Sequence, residues 1–298
     1  MATERASGTT SGVTEVGCVV LSMGTRPQEL DGALHSVLTQ TGVSLDCLVV
    51  GNGWEPSGLP DGVRTFSLDA NVGIPEGRNI GARHVAGDIL LFFDDDAEFP
   101  DPQALQRVVA KFAADPRVAV VQPRVEDPHG LPTARRHVPR VRVGDPLVGG
   151  DVAWFWEGTC FIRRSAFDEV GGWPGHFFSY HEGIEVAWRV IDADYRITYA
   201  TDVVVRHTSA APSRHARFQF HNTRNRVWVA KRNLPHVALE LYLLVWFAAT
   251  MLRMRSLADV RVALRGFVAG FREPAGERRP ISWRTAWRLT RLGRPPIV

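Results

Sequence analysis

Four apolar, β-branched runs, each followed by a break and most of them by helical spacing, constrain this chain more than any other feature. They are VGCVVLSM (residues 16–23), the LDCLVV that opens residues 45–54, ILLFF (89–93) and VAVVQPRV (118–125). Continuous rather than alternating hydrophobicity belongs to a strand covered on both faces. After the first run, Thr25-Arg26-Pro27 breaks the pattern and Leu30, Leu34, Val37 and Leu38 recur at helical spacing; residues 79–86 and 103–114 also read as helices. Strands alternating with helices imply right-handed crossovers and an α/β fold with a mainly parallel sheet flanked by helices. With 45% hydrophobic and 22% charged residues in 298, the chain has the material for a packed core.

The pattern fails between residues 125 and 152, a stretch rich in Pro, Gly and Arg, and returns with WFWEGTCFIRRSAFDEVGGW, an acidic helix at 182–191 and a strand, DVVVRH, ending at His207. Long aperiodic loops are usually functional. The first residues, MATERASGTTSGVTE, lack the basic start and apolar core of a secretory signal. They read as a disordered tail over 1–14, ahead of an α/β unit over 15–235 and a helical extension over 236–298. From 252 to 298 there are 11 Arg against 3 acidic residues, a local excess of 8 positive charges, which favours an anionic partner. The apolar run 241–252, LYLLVWFAATML, is 12 residues long, short of the about 20 that span a bilayer, so it reads as a core helix or one lying in a membrane interface. Cys18, Cys47 and Cys160 show no metal-ligand spacing and read as buried thiols in a reducing compartment.

The run 89–93 drives directly into Asp94, Asp95 and Asp96. In an extended strand end Asp94 and Asp96 point to one side and Asp95 to the other. Adjacent carboxylates repel unless a cation sits between them, and all-oxygen ligation favours a hard ion, Mg²⁺ or Mn²⁺, whose shell substrate phosphates can complete. Open α/β sheets bind ligands beyond the carboxyl ends of their strands, which is where this triplet falls. An acidic surface turn explains the charges but not the buried lead-in.

Taken in order, the first strand with TRP and SVLTQ, then NVGIPEGRNIG (71–81), FFDDDAEF, GGWPGHFFSYHEGIEVAWR (171–189) and DVVVRH resemble family 2 glycosyltransferases. These are inverting, nucleotide-sugar-dependent enzymes of the Rossmann-like GT-A fold. The resemblance runs from about Val16 to His207. It implies that Asp94 and Asp96 hold a metal on the donor diphosphate, that Asp95 faces the ribose or a neighbouring loop, and that His207 completes the metal shell. It also implies a donor site drawn from Thr25, Arg26, Asn52, Asn71, Gly73, Arg78, Asn79 and Gly158, with Arg78 paired to phosphate. A departure occurs at Gly51, where family members often carry an Asp that helps read the nucleoside.

Inverting transfer needs a base for the acceptor hydroxyl. The family commonly supplies it as the second acid of a Glu-Asp-x-Asp segment at a helix start; here the segment is His181-Glu182-Gly183-Ile184-Glu185, with glycine at the base position. Glu182 is the first choice and Glu185, one helical turn on, the second. Trp156, Trp173 and His181 are the candidate acceptor contacts. The reading is a metal-dependent inverting glycosyltransferase that moves a sugar from a UDP-, dTDP- or GDP-linked donor to a hydroxyl of a glycan or lipid-linked acceptor, with Mn²⁺ or Mg²⁺ and no nucleic-acid partner. The expected location is cytoplasmic and peripheral on the inner face of the cell membrane, with a homodimer face as the alternative use of the C-terminal helix. Its rivals are a nucleotidyltransferase, disfavoured by a single glycine in SMGTRPQEL, and a nucleotide-sugar binding protein without turnover, suggested by Gly183.

Overall fold

The computed structural model describes residues 14–140, 145–208 and 216–297; all but one residue of the expected N-terminal tail lies outside them. The first half alternates β1 (Glu15–Ser22), α1 (Pro27–Leu38), β2 (Ser44–Asn52), β3 (Val63–Leu68), α2 (Ile74–His84), β4 (Ile89–Asp94), α3 (Ala104–Ala114) and β5 (Val118–Glu126). The second half adds β6 (Gly150–Asp151), β7 (Thr159–Arg163), α4 (Arg164–Val170), α5 (Glu182–Asp192), β8 (Arg196–Arg206), α6 (Ala216–Asn233), α7 (His236–Arg253), α8 (Leu257–Arg272) and α9 (Trp283–Arg291).

The strands form one sheet in the order β3-β2-β1-β4-β7-β5-β8-β6. β1 pairs parallel with both β2 and β4, whereas β7 runs antiparallel between β4 and β5. The continuous apolar runs are explained by two cores, one on each face. Val19, Leu90 and Phe92 face the layer containing α2, α4, α5 and α6, while Val20, Leu91 and Phe93 face α1 and α3. From β1 the chain moves outward to β2 and β3 and then crosses back to β4, so the crevice at their carboxyl ends is the expected ligand position for an open α/β sheet.

The structure departs from the expected elements in three places. α2 begins at Ile74, five residues before the expected start, because Pro75 is pre-set for a first helical turn; Arg78 and Asn79 are therefore helical. β3 lacks an apolar run because it is the edge strand, with Arg64, Thr65 and Ser67 exposed. The 12-residue apolar run lies inside α7, an 18-residue helix that by length and composition alone is long and apolar enough to cross a membrane; 17% of it is buried. Helix formation extends past the apolar run through His236 to Glu240, which carry enough helix propensity to add turns.

The C-terminal segment packs against α5 and α6. Arg278 donates to the carbonyl of Leu234 (2.7 Å), the Ile281 amide to that of Asn233 (2.9 Å), and Ser282 and Thr285 hydroxyls to Asp192 (2.9 and 2.6 Å).

Candidate active site

Two cavities meet where β4 ends, and Arg78 and Asp94 line both. β4 stops at Asp94, so Asp95 and Asp96 lie in a turn rather than in an extended strand. Asp94 and Asp96 nevertheless converge. Both reach toward His207, whose Nε2 is 3.2 Å from Asp96 and 3.9 Å from Asp94, and the three side chains offer ligand atoms within 4.8 Å of one another. Asp95 diverges from them, accepts from the Ser22 hydroxyl at the end of β1 (2.6 Å) and pairs with Arg26; Arg26 also reaches Asp96. Two carboxylates and an imidazole form a donor set suited to a hard or borderline divalent cation.

The electrostatics reflect crowding. Burial raises the Asp94 carboxyl to about 6, with Arg78 and His207 opposing that rise and Asp96 and Asp95 adding to it. Burial acts the same way on Asp96, but the hydrogen bond and charge of His207 and the charge of Arg26 outweigh it and hold Asp96 below the usual carboxylate range. For His207, burial disfavours the charge, yet the hydrogen bond and charge of Asp96 raise its basicity.

The first cavity, about 410 Å³, is lined by Thr25, Arg26, Asn52, Asn71, Gly73, Asp95 and Tyr180 among others. Asn52, at the end of β2, donates to Asn71 Oδ1 (3.0 Å) and accepts from the Val72 amide (2.9 Å), holding the segment that enters α2. Gly73 has φ 90°, and a Cβ there would lie 2.5 Å from the Phe178 carbonyl oxygen, so only glycine permits this approach. At Gly51 a Cβ would meet the Trp54 carbonyl oxygen at 1.9 Å, so the turn after β2 closes over the place where the resemblance implied an Asp.

The second cavity, about 380 Å³, is lined by Arg136, Trp154, Trp156, Glu157, Gly158, His181, Glu182, Asn222 and Arg294. Burial and then the charge of Glu157 push the Glu182 carboxyl up to about 8, and Glu182 Oε2 is buried without a hydrogen-bond partner among the described residues. Glu157, also raised by burial, accepts from the Gly183 amide (3.0 Å). Arg294 stacks over Trp154 with 4.8 Å to the ring centroid, and burial brings its pKa down to about 10. Between the cavities, Phe178, Tyr180 and His181 have φ of 69°, 71° and 71°. Such clustered strain persists only where the surroundings impose it. Here the fully buried Asn225 donates to the carbonyls of Phe177 (2.9 Å), Ser179 (2.6 Å) and Tyr180 (3.0 Å).

Several expected site residues sit elsewhere. Glu185 faces away from the cavity, buried against Arg189, Arg232 and Asn233, because α5 turns that side toward α6. Trp173 is 2% exposed and packs edge-on to Phe92 in the core, so it contacts no acceptor. Asn79 clamps the Trp173 backbone through its amide and carbonyl (2.9 and 2.8 Å) rather than facing the donor cavity. Arg78, by contrast, lines both cavities and pairs with Asp94 (2.7 Å). Trp156, Gly158 and His181 do line the second cavity. Ser22, Asn225 and Arg294 were not singled out in the sequence, whereas Glu157 belongs with Gly158 to the stretch that the resemblance brings toward the donor sugar.

The fold and its acid-lined crevice have the GT-A architecture of solved glycosyltransferases. GalNAc-T7 crystallised with UDP, GalNAc and Mn²⁺ superposes with a TM-score of 0.62 at 14% identity, over 89% of this chain and 57% of that one. The mannosyltransferase PcManGT from Pyrobaculum calidifontis, in complex with GDP-Man and Mn²⁺, gives 0.52 at 17% identity over 95% and 74%. Glycosyltransferase AglE of Haloferax volcanii is 29% identical over 251 residues, 77% of this chain and 80% of its own. Residues 18–171 match Glycosyl transferase family 2, and the chain belongs to that family.

Proposed function

We propose that the protein is a metal-dependent inverting enzyme that transfers a sugar from a nucleotide donor to a hydroxyl of a glycan or lipid-linked acceptor. The observation that carries this reading is the Asp94–Asp96–His207 cluster, which lines the first cavity and shares Asp94 with the second. In it Asp94, Asp96 and His207 would hold Mn²⁺ or Mg²⁺, and the ion would supply Lewis-acid stabilisation of the leaving diphosphate. Thr25, Arg26, Asn52, Asn71 and Asp95 bind the UDP-, dTDP- or GDP-linked donor, and Arg78 keeps Asp94 oriented. Glu182 receives the acceptor's proton from the second cavity. Trp154, Trp156 and His181 flank the acceptor there, and Arg294, which makes no salt bridge among the described residues, favours an acceptor carrying negative charge near the reacting hydroxyl.

The same reading puts the enzyme on the cytoplasmic face of the membrane. Leu241, Leu244 and Phe247 of α7, Phe271 of α8, and Trp283 and Trp287 of α9 are exposed on elements that also carry Arg253, Arg261, Arg265, Arg272 and Arg284. Apolar side chains rimmed by arginine suit an anionic lipid surface. A homodimer through α7 is the competing use of that face.

The test is a panel of nucleotide-sugars with and without Mn²⁺, read by thermal shift and by release of nucleoside diphosphate. A donor that raises the melting temperature only with the ion supports the reading; no metal-dependent shift from any of the three nucleotide classes refutes it.

A further inference from the structure

Gly183 stands where the family resemblance implies the catalytic acid, and the space its side chain would need is filled. A Cβ built at Gly183 would lie 2.2 Å from Glu157 Oε1 and 2.5 Å from Glu157 Cδ. The Glu157 carboxylate thus occupies the volume of a side chain at 183, arriving from the segment before β7 rather than from α5. It is fixed there by the Gly183 amide (3.0 Å). Glu182, next along the chain, lines the same cavity, its Oε2 unpartnered among the described residues.

We propose that Glu157 is a further catalytic residue, which stands in for the missing side chain at 183 and forms with Glu182 a two-carboxyl base. This rests on the second cavity being the acceptor site. Two buried carboxyls acting on each other cannot both ionise readily, so the pair carries one proton and one negative charge near neutral pH. The other charged or titratable groups acting on the pair are Arg78, Asp94 and Arg294, with the Tyr180 hydroxyl beside Glu182 and the Cys160 thiol beside Glu157. In the transfer step the acceptor oxygen forms the bond to the anomeric carbon. The bond from that carbon to the diphosphate oxygen breaks, and its electron pair leaves with the nucleoside diphosphate. The acceptor's proton passes to the carboxyl pair and from it to water.

Glu157→Gln keeps the volume and can still accept from the Gly183 amide, so it is expected to fold, with melting curves as the check. With the most readily turned-over member of a UDP-, dTDP- and GDP-sugar panel, E157Q and E182Q should each lower turnover by roughly 100-fold or more, with Mn²⁺-dependent donor affinity unchanged. The double variant should be no slower than the slower single one, as groups acting as a unit behave. Normal turnover in E157Q with loss in E182Q overturns the pair and leaves the acceptor-site reading intact, as does a double variant whose loss is the product of the single losses. Normal turnover in both singles overturns the acceptor-site reading itself. Independently of turnover, the infrared band of a protonated buried carboxyl should be present at pH 7, and its titration midpoint should fall in each single variant because a neighbouring negative charge is gone. A midpoint unmoved in either variant also overturns the pair.

Discussion

Replacing Glu185 by Gln should separate architecture from chemistry at the start of α5. Glu185 is 1% exposed and accepts from Arg232 Nε (2.8 and 3.1 Å), Arg232 Nη2 (2.8 Å) and Asn233 Nδ2 (2.8 Å), with Arg189 Nη2 at 2.9 Å. Its single negative charge is therefore the counterion of two guanidinium groups whose side chains are only 9% and 12% exposed. Gln retains the volume but leaves both cations uncompensated and points an amide NH₂ at existing donors. Breaking a buried pair in this way costs about 3–5 kcal/mol, a large part of the roughly 5–15 kcal/mol that holds a domain folded. At roughly 2–4 °C per kcal/mol for a domain of this order of size, the melting temperature should fall by roughly 6–20 °C. Turnover per folded molecule, measured well below the transition, should be unchanged. A melting temperature within about 2 °C of wild type, together with a large loss of turnover, would return Glu185 to the chemistry and refute its placement as a structural counterion.

Asp96→Ala should abolish transfer and the Mn²⁺-dependent part of donor affinity, measured by titration calorimetry, while the fold persists because a crowded carboxylate is removed rather than a core contact. Because burial and Glu157 raise the folded Glu182 carboxyl to about 8 from its ordinary value near 4.5, the folded state holds more protons than the unfolded chain between those values. Stability contributed by this group therefore declines as pH rises from about 4.5 to 8, and Glu182→Gln should flatten that decline in melting temperature. Gly183→Ala places a methyl 2.2 Å from Glu157 Oε1, and it should reduce turnover sharply with little effect on donor affinity in the first cavity. Leu244, 66% exposed on α7, should matter to location alone: Leu244→Glu should weaken co-sedimentation with anionic vesicles at low salt without altering donor hydrolysis, and equal recovery of wild type with neutral and anionic vesicles would remove the membrane proposal.

Much of this was legible in the chain because it depends on neighbours in sequence. Continuous apolar runs such as 16–23 and 89–93 mark buried strands by themselves, so those strands and the position of the acid triplet at a strand end could be read directly, whereas the edge strand β3 could not. The convergence of Asp94, Asp96 and His207 was also foreseeable, through the order of the motifs. What the tertiary structure decided are the pairings between segments distant in sequence, where no local period exists to betray them. Helix phase around α5 turned Glu182 toward the cavity and Glu185 toward Arg232, 47 residues away, although both are glutamates at a helix start. Close packing of β7 beside β4 brought Glu157 into the room left at Gly183, and the turn after β2 removed the room for a side chain at 51. A carboxylate's role follows from the charge and solvent around it, and those are supplied by residues that only the folded chain brings together.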